Sequence, residues 1–186
     1  LFGCDDLQEV ELWNICYNID NTTVIDLYGF PLNGEIPDEI GNLENLTFLR
    51  ISGNNLISEI PESIGNLVNL EIINLSENHL HGDIPESIGN LENLVSLILN
   101  TNELSGEIPE SIGNLENLQI LDFRDNQLSG SIPSSIGNLI NLRHIYLINN
   151  QLNGSIPNDI SNLTQLIELE LNNNLLSGSI PSDIGN

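Results

Sequence analysis

From residue 22 onward apolar residues return at fixed spacings. In the stretch that opens at Leu67 they fall at Leu67, Leu70, Ile73, Leu75, Leu80, Ile84 and Ile88, and the pattern resumes at Leu91. The period is 24 residues, with Ile-Pro pairs beginning at Ile36, Ile60, Ile84, Ile108, Ile132, Ile156 and Ile180. Seven copies without a slip describe stacked supersecondary units, each too small to bury its apolar face alone. Ile73 and Leu75 alternate with Asn74, the period of a short strand, so one strand per unit is expected to stack into a parallel sheet. Leu67, Leu70, Leu80, Ile84 and Ile88 then close the interior. Proline after isoleucine holds the next segment extended. The Ser/Asp-Ile-Gly-Asn stretches predict single 3₁₀ turns on the convex side, with little other helix. Six full repeats span 42–65, 66–89, 90–113, 114–137, 138–161 and 162–185, after a degenerate opening repeat at 22–41.

Polar residues recur as regularly. Asn54, Asn78, Asn102, Asn126, Asn150 and Asn174 stand where each strand ends and the chain turns inward, a place where backbone N–H and C=O groups would otherwise be buried unpaired. A side-chain amide supplies both donor and acceptor there, so a structural ladder is expected. Gly82, Gly106, Gly130, Gly154 and Gly178 fit a tight bend. Phe30 replaces the ladder Asn in the opening repeat, Ser58 replaces the bend Gly, and Ser161 replaces the Gly of Ile-Gly-Asn.

At these residues the chain resembles the plant-type leucine-rich repeat family, whose pattern L-x-x-L-x-x-L-x-L-x-x-N-x-L-x-G-x-I-P-x-x-I-G-N is met almost slot for slot over about 22–186. The resemblance implies an α/β solenoid, mostly β with 3₁₀ turns: a right-handed leucine-rich-repeat superhelix with a concave parallel β-sheet, often with a second short sheet at the Leu-x-Gly-x-Ile-Pro flank. It also implies extracellular recognition, as in receptor-kinase ectodomains and in polygalacturonase-inhibiting proteins. Residues 1–21 break the period, carry both cysteines and the only Trp, and read as an N-terminal cap over 1–21 ahead of a solenoid over 22–186. No C-terminal cap is expected, which suggests a piece of a longer receptor-like protein.

Charge narrows the ligand classes. Twenty-seven acidic residues against three Arg give a net charge of −24, with nothing to neutralise a phosphate backbone, so nucleic acid is excluded as a partner. No apolar run is long enough for a membrane segment in this stretch. Asp5 and Asp6 beside two thiols are a poor metal set, so Cys4 and Cys16 are expected to form a disulfide, with no metal and no cofactor. An oxidised pair places the chain in the secretory pathway, extracellular or at the cell surface. Sequons at Asn21, Asn45, Asn74, Asn153 and Asn162 are candidate glycosylation sites, of which Asn45 or Asn153 is expected to be occupied.

Catalysis is not expected. Asp122 with Asp125, and Glu168 with Glu170, are the nearest to paired carboxylates, yet they fall on an open sheet without the contrasting environments an acid/base pair requires. His79, His81 and His144 do not share a face. Function is instead sought where repeats differ, in the outward slots around each strand, which hold all three Arg and several exposed apolar side chains. The candidate ligand-binding residues are Phe48, Arg50, Ile72, Ile98, Arg124, Arg143, His144, Tyr146, Glu168 and Glu170. Arg124, Arg143, His144 and Tyr146 are expected to cluster and to suit a partner bearing a carboxylate. The leading reading is a non-enzymatic scaffold that binds a protein or peptide ligand. The alternatives are a secreted inhibitor of a polysaccharide-degrading enzyme, and a structural or ice-binding protein prompted by the convex columns Asn42, Asn66, Asn90, Asn114, Asn138 and Asn45, Asn69, Asn93, Asn117, Asn141.

Overall fold

The computed structural model describes residue 4 and residues 8–184. The chain opens with an antiparallel hairpin, β1 (Glu9–Leu12) and β2 (Ile15–Asn18), paired from Glu9↔Asn18 to Leu12↔Ile15. Its two-residue turn, Trp13-Asn14, has φ 51° and 62°, the doubly left-handed turn whose twist matches a hairpin. Cys4 and Cys16 are joined in a disulfide. Trp13 packs against the core, and its indole Nε1 donates to the Glu35 carbonyl at 2.9 Å, tying the hairpin to the first turn of the coil.

The coil follows as β3 (Val24–Asp26), β4 (Asn33–Gly34), β5 (Phe48–Arg50), β6 (Asn55–Leu56), β7 (Ile72–Asn74), β8 (His81–Gly82), β9 (Ser96–Ile98), β10 (Glu103–Leu104), β11 (Ile120–Asp122), β12 (His144–Tyr146) and β13 (Glu168–Glu170). Strands β3, β5, β7, β9, β11, β12 and β13 form one seven-stranded parallel sheet in chain order. Its register is a pure 24-residue shift, as in Ile73↔Leu97 and Leu121↔Ile145. On the flank β4 pairs with β6 and β8 with β10, the second short sheet that the resemblance implies. Six 3₁₀ helices, from Asp38–Asn42 to Asn158–Asn162, run along the opposite side, and the described residues contain no α-helix. Neighbouring strands sit only about 4.8 Å apart.

A single apolar column fills the interior, with Leu49, Leu97, Leu121 and Phe123 at 0% exposure. The asparagine ladder forms as expected, although its amides bond backbone rather than each other. Asn102 Nδ2 donates to the carbonyls of Leu75, Leu99 and Asn100 while its Oδ1 accepts from Leu80 N–H, so one side chain stitches two turns together. The convex Asn45 column works similarly: Asn69, Asn93, Asn117 and Asn141 each donate to a carbonyl 25 residues back. Ser58 does not imitate the bend glycines. Its φ is not left-handed, and its Oγ instead accepts from Ile36 N–H and donates to the Glu59 carbonyl.

Candidate functional site

Packing, ladders and bends occupy most of the 24 slots, which leaves the outer face of the seven-stranded sheet as the surface where repeats differ. Two columns of side chains stand on it. One runs Val24, Phe48, Ile72, Ser96, Ile120, His144, Glu168, and the other Asp26, Arg50, Asn74, Ile98, Asp122, Tyr146, Glu170. Alternation along each strand puts Leu49, Ile73, Leu97, Leu121 and Ile145 inward between them.

Two polar clusters form on this face. On β3 and β5, Arg50 makes a two-point pair with Asp26, Nε to Oδ1 at 2.8 Å and Nη2 to Oδ2 at 2.6 Å. Its guanidinium lies 5.3 Å from the Tyr28 ring centre and 6.0 Å from that of Phe48. The bond from Arg50 holds the Asp26 carboxyl below the usual carboxylate range. Tyr28 beside Arg50 is exposed, as are Val24 on β3 and Phe30 beyond it in the chain.

The second cluster spans β11, β12 and β13. Arg124 folds back on Asp122, Nε to Oδ1 at 2.9 Å and Nη2 to Oδ2 at 2.7 Å, and caps the Tyr146 ring at 4.6 Å. Asp122 is only 5% exposed, whereas the Arg124 side chain keeps 38% of its surface, so the carboxylate is withdrawn from water and the guanidinium is not. The Tyr146 hydroxyl donates to Glu168 Oε2 at 2.5 Å, and His144 Nδ1 approaches both that hydroxyl, at 3.2 Å, and Glu168 Oε2, at 3.4 Å. His144 and Tyr146 stack with ring centres 5.9 Å apart. The hydrogen bond to Glu168 pushes the Tyr146 hydroxyl up to about 12, and its counterpart lowers the Glu168 carboxyl. Tyr146 has one proton and spends it on Glu168. His144 Nδ1 therefore acts as the donor in its own contacts with these two oxygens.

The sequence expectation that Arg143 joins this cluster is not met. Arg143 lies one residue before β12, separated from Tyr146 by outward His144 as well as inward Ile145, and it has no ion pair among the described residues. Its backbone N–H bonds the Gln119 carbonyl while its side chain is exposed. Ile72 and Ile98 lie half-buried on the central strands, outside both clusters. Asp26 and Asp122, which organise the two guanidiniums, were absent from the candidate set. Their signal was present: each lies 24 or 2 residues from its Arg, a spacing that puts both on the outer face. Among the sequons, Asn74 stands in the middle of the outer face with its Oδ1 accepting from the Ser76 N–H and hydroxyl. Asn45 donates to the Asp20 carbonyl, whereas the Asn153 side chain is exposed on the flank. No helix of the described residues is long and apolar enough to cross a membrane.

Comparison with known proteins places this architecture. Residues 98–180 match the family described as Leucine-rich repeat region, and residues 45–67 and 69–91 match Leucine Rich Repeat, together more than half of the chain. No curated protein sequence matches. The fold is shared with a TDR receptor at 42% identity and TM-score 0.86, over 88% of this chain and 28% of that one. The Arabidopsis receptor kinase HAESA, solved with the peptide hormone IDA and the co-receptor SERK1, is 43% identical with TM-score 0.82, again over 88% of this chain and 28% of that one. The chain thus spans less than a third of either receptor structure. A plant ice-binding protein is 27% identical with TM-score 0.62, over 86% of this chain and 67% of that one. Repeat motif, ladder, parallel sheet and these matches agree, and the chain belongs to the plant-type leucine-rich repeat family.

Proposed function

We propose that this chain is an extracellular, non-catalytic recognition scaffold that binds a peptide or protein ligand on the outer face of its parallel sheet, as part of a longer receptor-like protein. The observation that carries the reading is the cluster on β11, β12 and β13. Asp122, Arg124, Tyr146, His144 and Glu168 are held by one another on a face that the fold leaves free, and such preorganised groups lose little entropy when a partner docks. The similarity to HAESA, whose solved complex contains a peptide hormone, supports a peptide-sized ligand. The disulfide fits an oxidising compartment. Asp122 is committed to Arg124 and Glu168 to Tyr146, which supports a non-catalytic reading of these acids.

The test is a display library of random peptides panned against the folded protein. Binders are expected to lose about tenfold or more in affinity in Arg124→Ala and Tyr146→Ala, with circular dichroism unchanged. A library whose binders ignore both substitutions would overturn the reading.

Similarity to a plant ice-binding protein and the exposed convex column Asn42, Asn66, Asn90, Asn114 and Asn138 favour a second reading, ice binding. The adjacent Asn45 column is already spent on bonds between turns, which leaves one column rather than a lattice. A thermal-hysteresis measurement decides it.

A further inference from the structure

Two of the chain's three histidines lie on the flank, away from the outer face of the seven-stranded sheet. The backbone there is extended. The N–H groups of His79 and His81 bond the Leu56 and Ser58 carbonyls of the turn before, and the carbonyls of Leu80 and Gly82 accept from Glu103 and Ser105 of the turn after. Alternation along such a stretch sends Leu80 inward, at 0% exposure, and both imidazoles outward on the same side. The backbone asks for no imidazole at either slot: other repeats carry Asn55 and Ile57, or Gln127 and Ser129, in the same two places.

The next turn supplies a carboxylate to this pair. Strand β10 lies against β8 with Glu103 in register with His81, while Glu103 Oε1 reaches back to His79 Nδ1 at 3.2 Å. One carboxylate is therefore adjacent to both rings. The turn before brings Glu59 alongside, its side chain lying so close over Gly82 that a Cβ there would meet Glu59 Cγ at 2.8 Å. The His79 and Glu103 side chains keep 54% and 55% of their surface, so neither is locked by packing. His81 is exposed and has no ion pair among the described residues, which leaves its ring free to turn toward its neighbours.

We propose that His79, His81 and Glu103 bind a divalent transition-metal ion of the zinc class on the flank, where the repeats 66–89 and 90–113 meet. Two imidazoles and one carboxylate form a donor set that suits Zn²⁺, whereas Ca²⁺ and Mg²⁺ take oxygen ligands. Glu103 gives up its contact with His79 to become the third ligand, and the fourth tetrahedral position stays open to water or to a donor from a partner. The net charge of −24 draws any cation toward the chain, but the two imidazoles decide which cation is held. Because the histidines come from one turn and the carboxylate from the next, the ion ties neighbouring turns together. The site is separate from the outer face of the sheet and does not depend on what that face binds.

The experiment uses the whole chain, its disulfide intact and without a histidine tag, with Zn²⁺ as the probe. Three histidines give few enough imidazole proton signals to follow each by NMR, assigned through His79→Gln and His81→Gln. Zn²⁺ is expected to move the His79 and His81 signals together, saturating at a single equivalent, while the His144 signal stays in place as an internal reference. Calorimetric affinity is expected to fall about tenfold or more in either histidine variant, and measurably in Glu103→Gln, with circular dichroism unchanged. The variant Glu62→Gln/Glu86→Gln removes charge from the exposed 3₁₀ side and is expected to change the affinity no more than about twofold. About a tenfold excess of Ca²⁺ should leave the ion in place. Absence of Zn²⁺ binding would overturn the inference. Binding that survives His79→Gln/His81→Gln, that follows the 3₁₀-side variant, or that Ca²⁺ displaces would reduce it to bulk negative charge and overturn it equally.

Discussion

Thr101 stands at φ 57°, one of a column of left-handed residues that precedes each ladder position, Phe30 in the opening repeat and asparagine thereafter: Gly29, Gly53, Glu77, Thr101, Asp125, Asn149 and Asn173. Glycine and asparagine adopt this conformation at low cost, a β-branched residue does not. Thr101→Gly is therefore expected to stabilise the protein by about 0.5–1 kcal/mol, relief of strain outweighing the added entropy of the unfolded chain, as read from the urea midpoint. Glu77→Gly should act in the same direction. Tyr146 supplies a second residue-level test. Its hydroxyl ionises at about 12 in the fold because the proton is held by Glu168, against 10.0 for an unperturbed tyrosine. A raised folded value means that its stabilising effect is complete below pH 10 and is lost as the pH climbs through about 12. Glu168 has the opposite sign. Its lowered carboxyl stabilises above the ordinary glutamate range and ceases to do so as acid protonates it. Phenolate absorbance during alkaline titration should show a component near pH 12 that vanishes in Tyr146→Phe. A component that persists would place the high value elsewhere. Neither the column nor the short bond was legible in the sequence, since φ and a contact across turns depend on where the neighbouring coil places its backbone.

At the scale of the element, the two recurring glycine slots do different work. Gly154 has φ 71° and only Ser131 Cβ near a would-be Cβ, at 3.6 Å, so its requirement is conformational. Gly113, in Ile-Gly-Asn, is within a 3₁₀ helix, and a Cβ there would meet Ser135 Cβ at 2.5 Å and the Ser135 carbonyl at 2.7 Å. It is glycine because the next turn lies against it. Gly113→Ala should cost about 2–3 kcal/mol, more than the roughly 1 kcal/mol of Gly154→Ala. Denaturation midpoints of the two variants settle the order, and equal losses would mean that the turns separate readily. The bend role was legible from its place between strand and Ile-Pro, whereas the close approach was not, because a repeat read alone contains no neighbour. Ser58 makes the complementary point. It occupies the bend slot without a left-handed φ, its hydroxyl taking over backbone bonds.

At the scale of the molecule, the coil is a one-dimensional stack in which each turn is bonded mainly to the next, so stability is expected to be local and the ends to open first. The Cys4–Cys16 bond closes a loop of separation 12 around the hairpin, and Trp13 fastens that hairpin to the first turn. Loss of the disulfide should cost this end about 2–3 kcal/mol. Reduction is expected to raise amide exchange in β1, β2 and β3 while leaving β9 and β11 unchanged. A uniform rise would mean that the coil unfolds as a single unit.

The sequence by itself determined the period, the parallel sheet, the 3₁₀ turns, the ladder and the face on which repeats are free to differ, because each follows from a residue type recurring every 24 positions. It also paired the two cysteines, because Asp5 and Asp6 beside them make a poor metal set. What it did not determine was how the variable residues combine. Arg124 and Tyr146 were read as neighbours and are, yet Arg143, read with them, stands apart, and the guanidinium expected to await an acidic partner is taken by Asp122. The physical reason is that buried repeats are constrained by identical copies on both sides, whereas an outer side chain chooses among rotamers and partners on two adjoining turns. That choice is made by distances across the sheet, which exist only once the coil has closed.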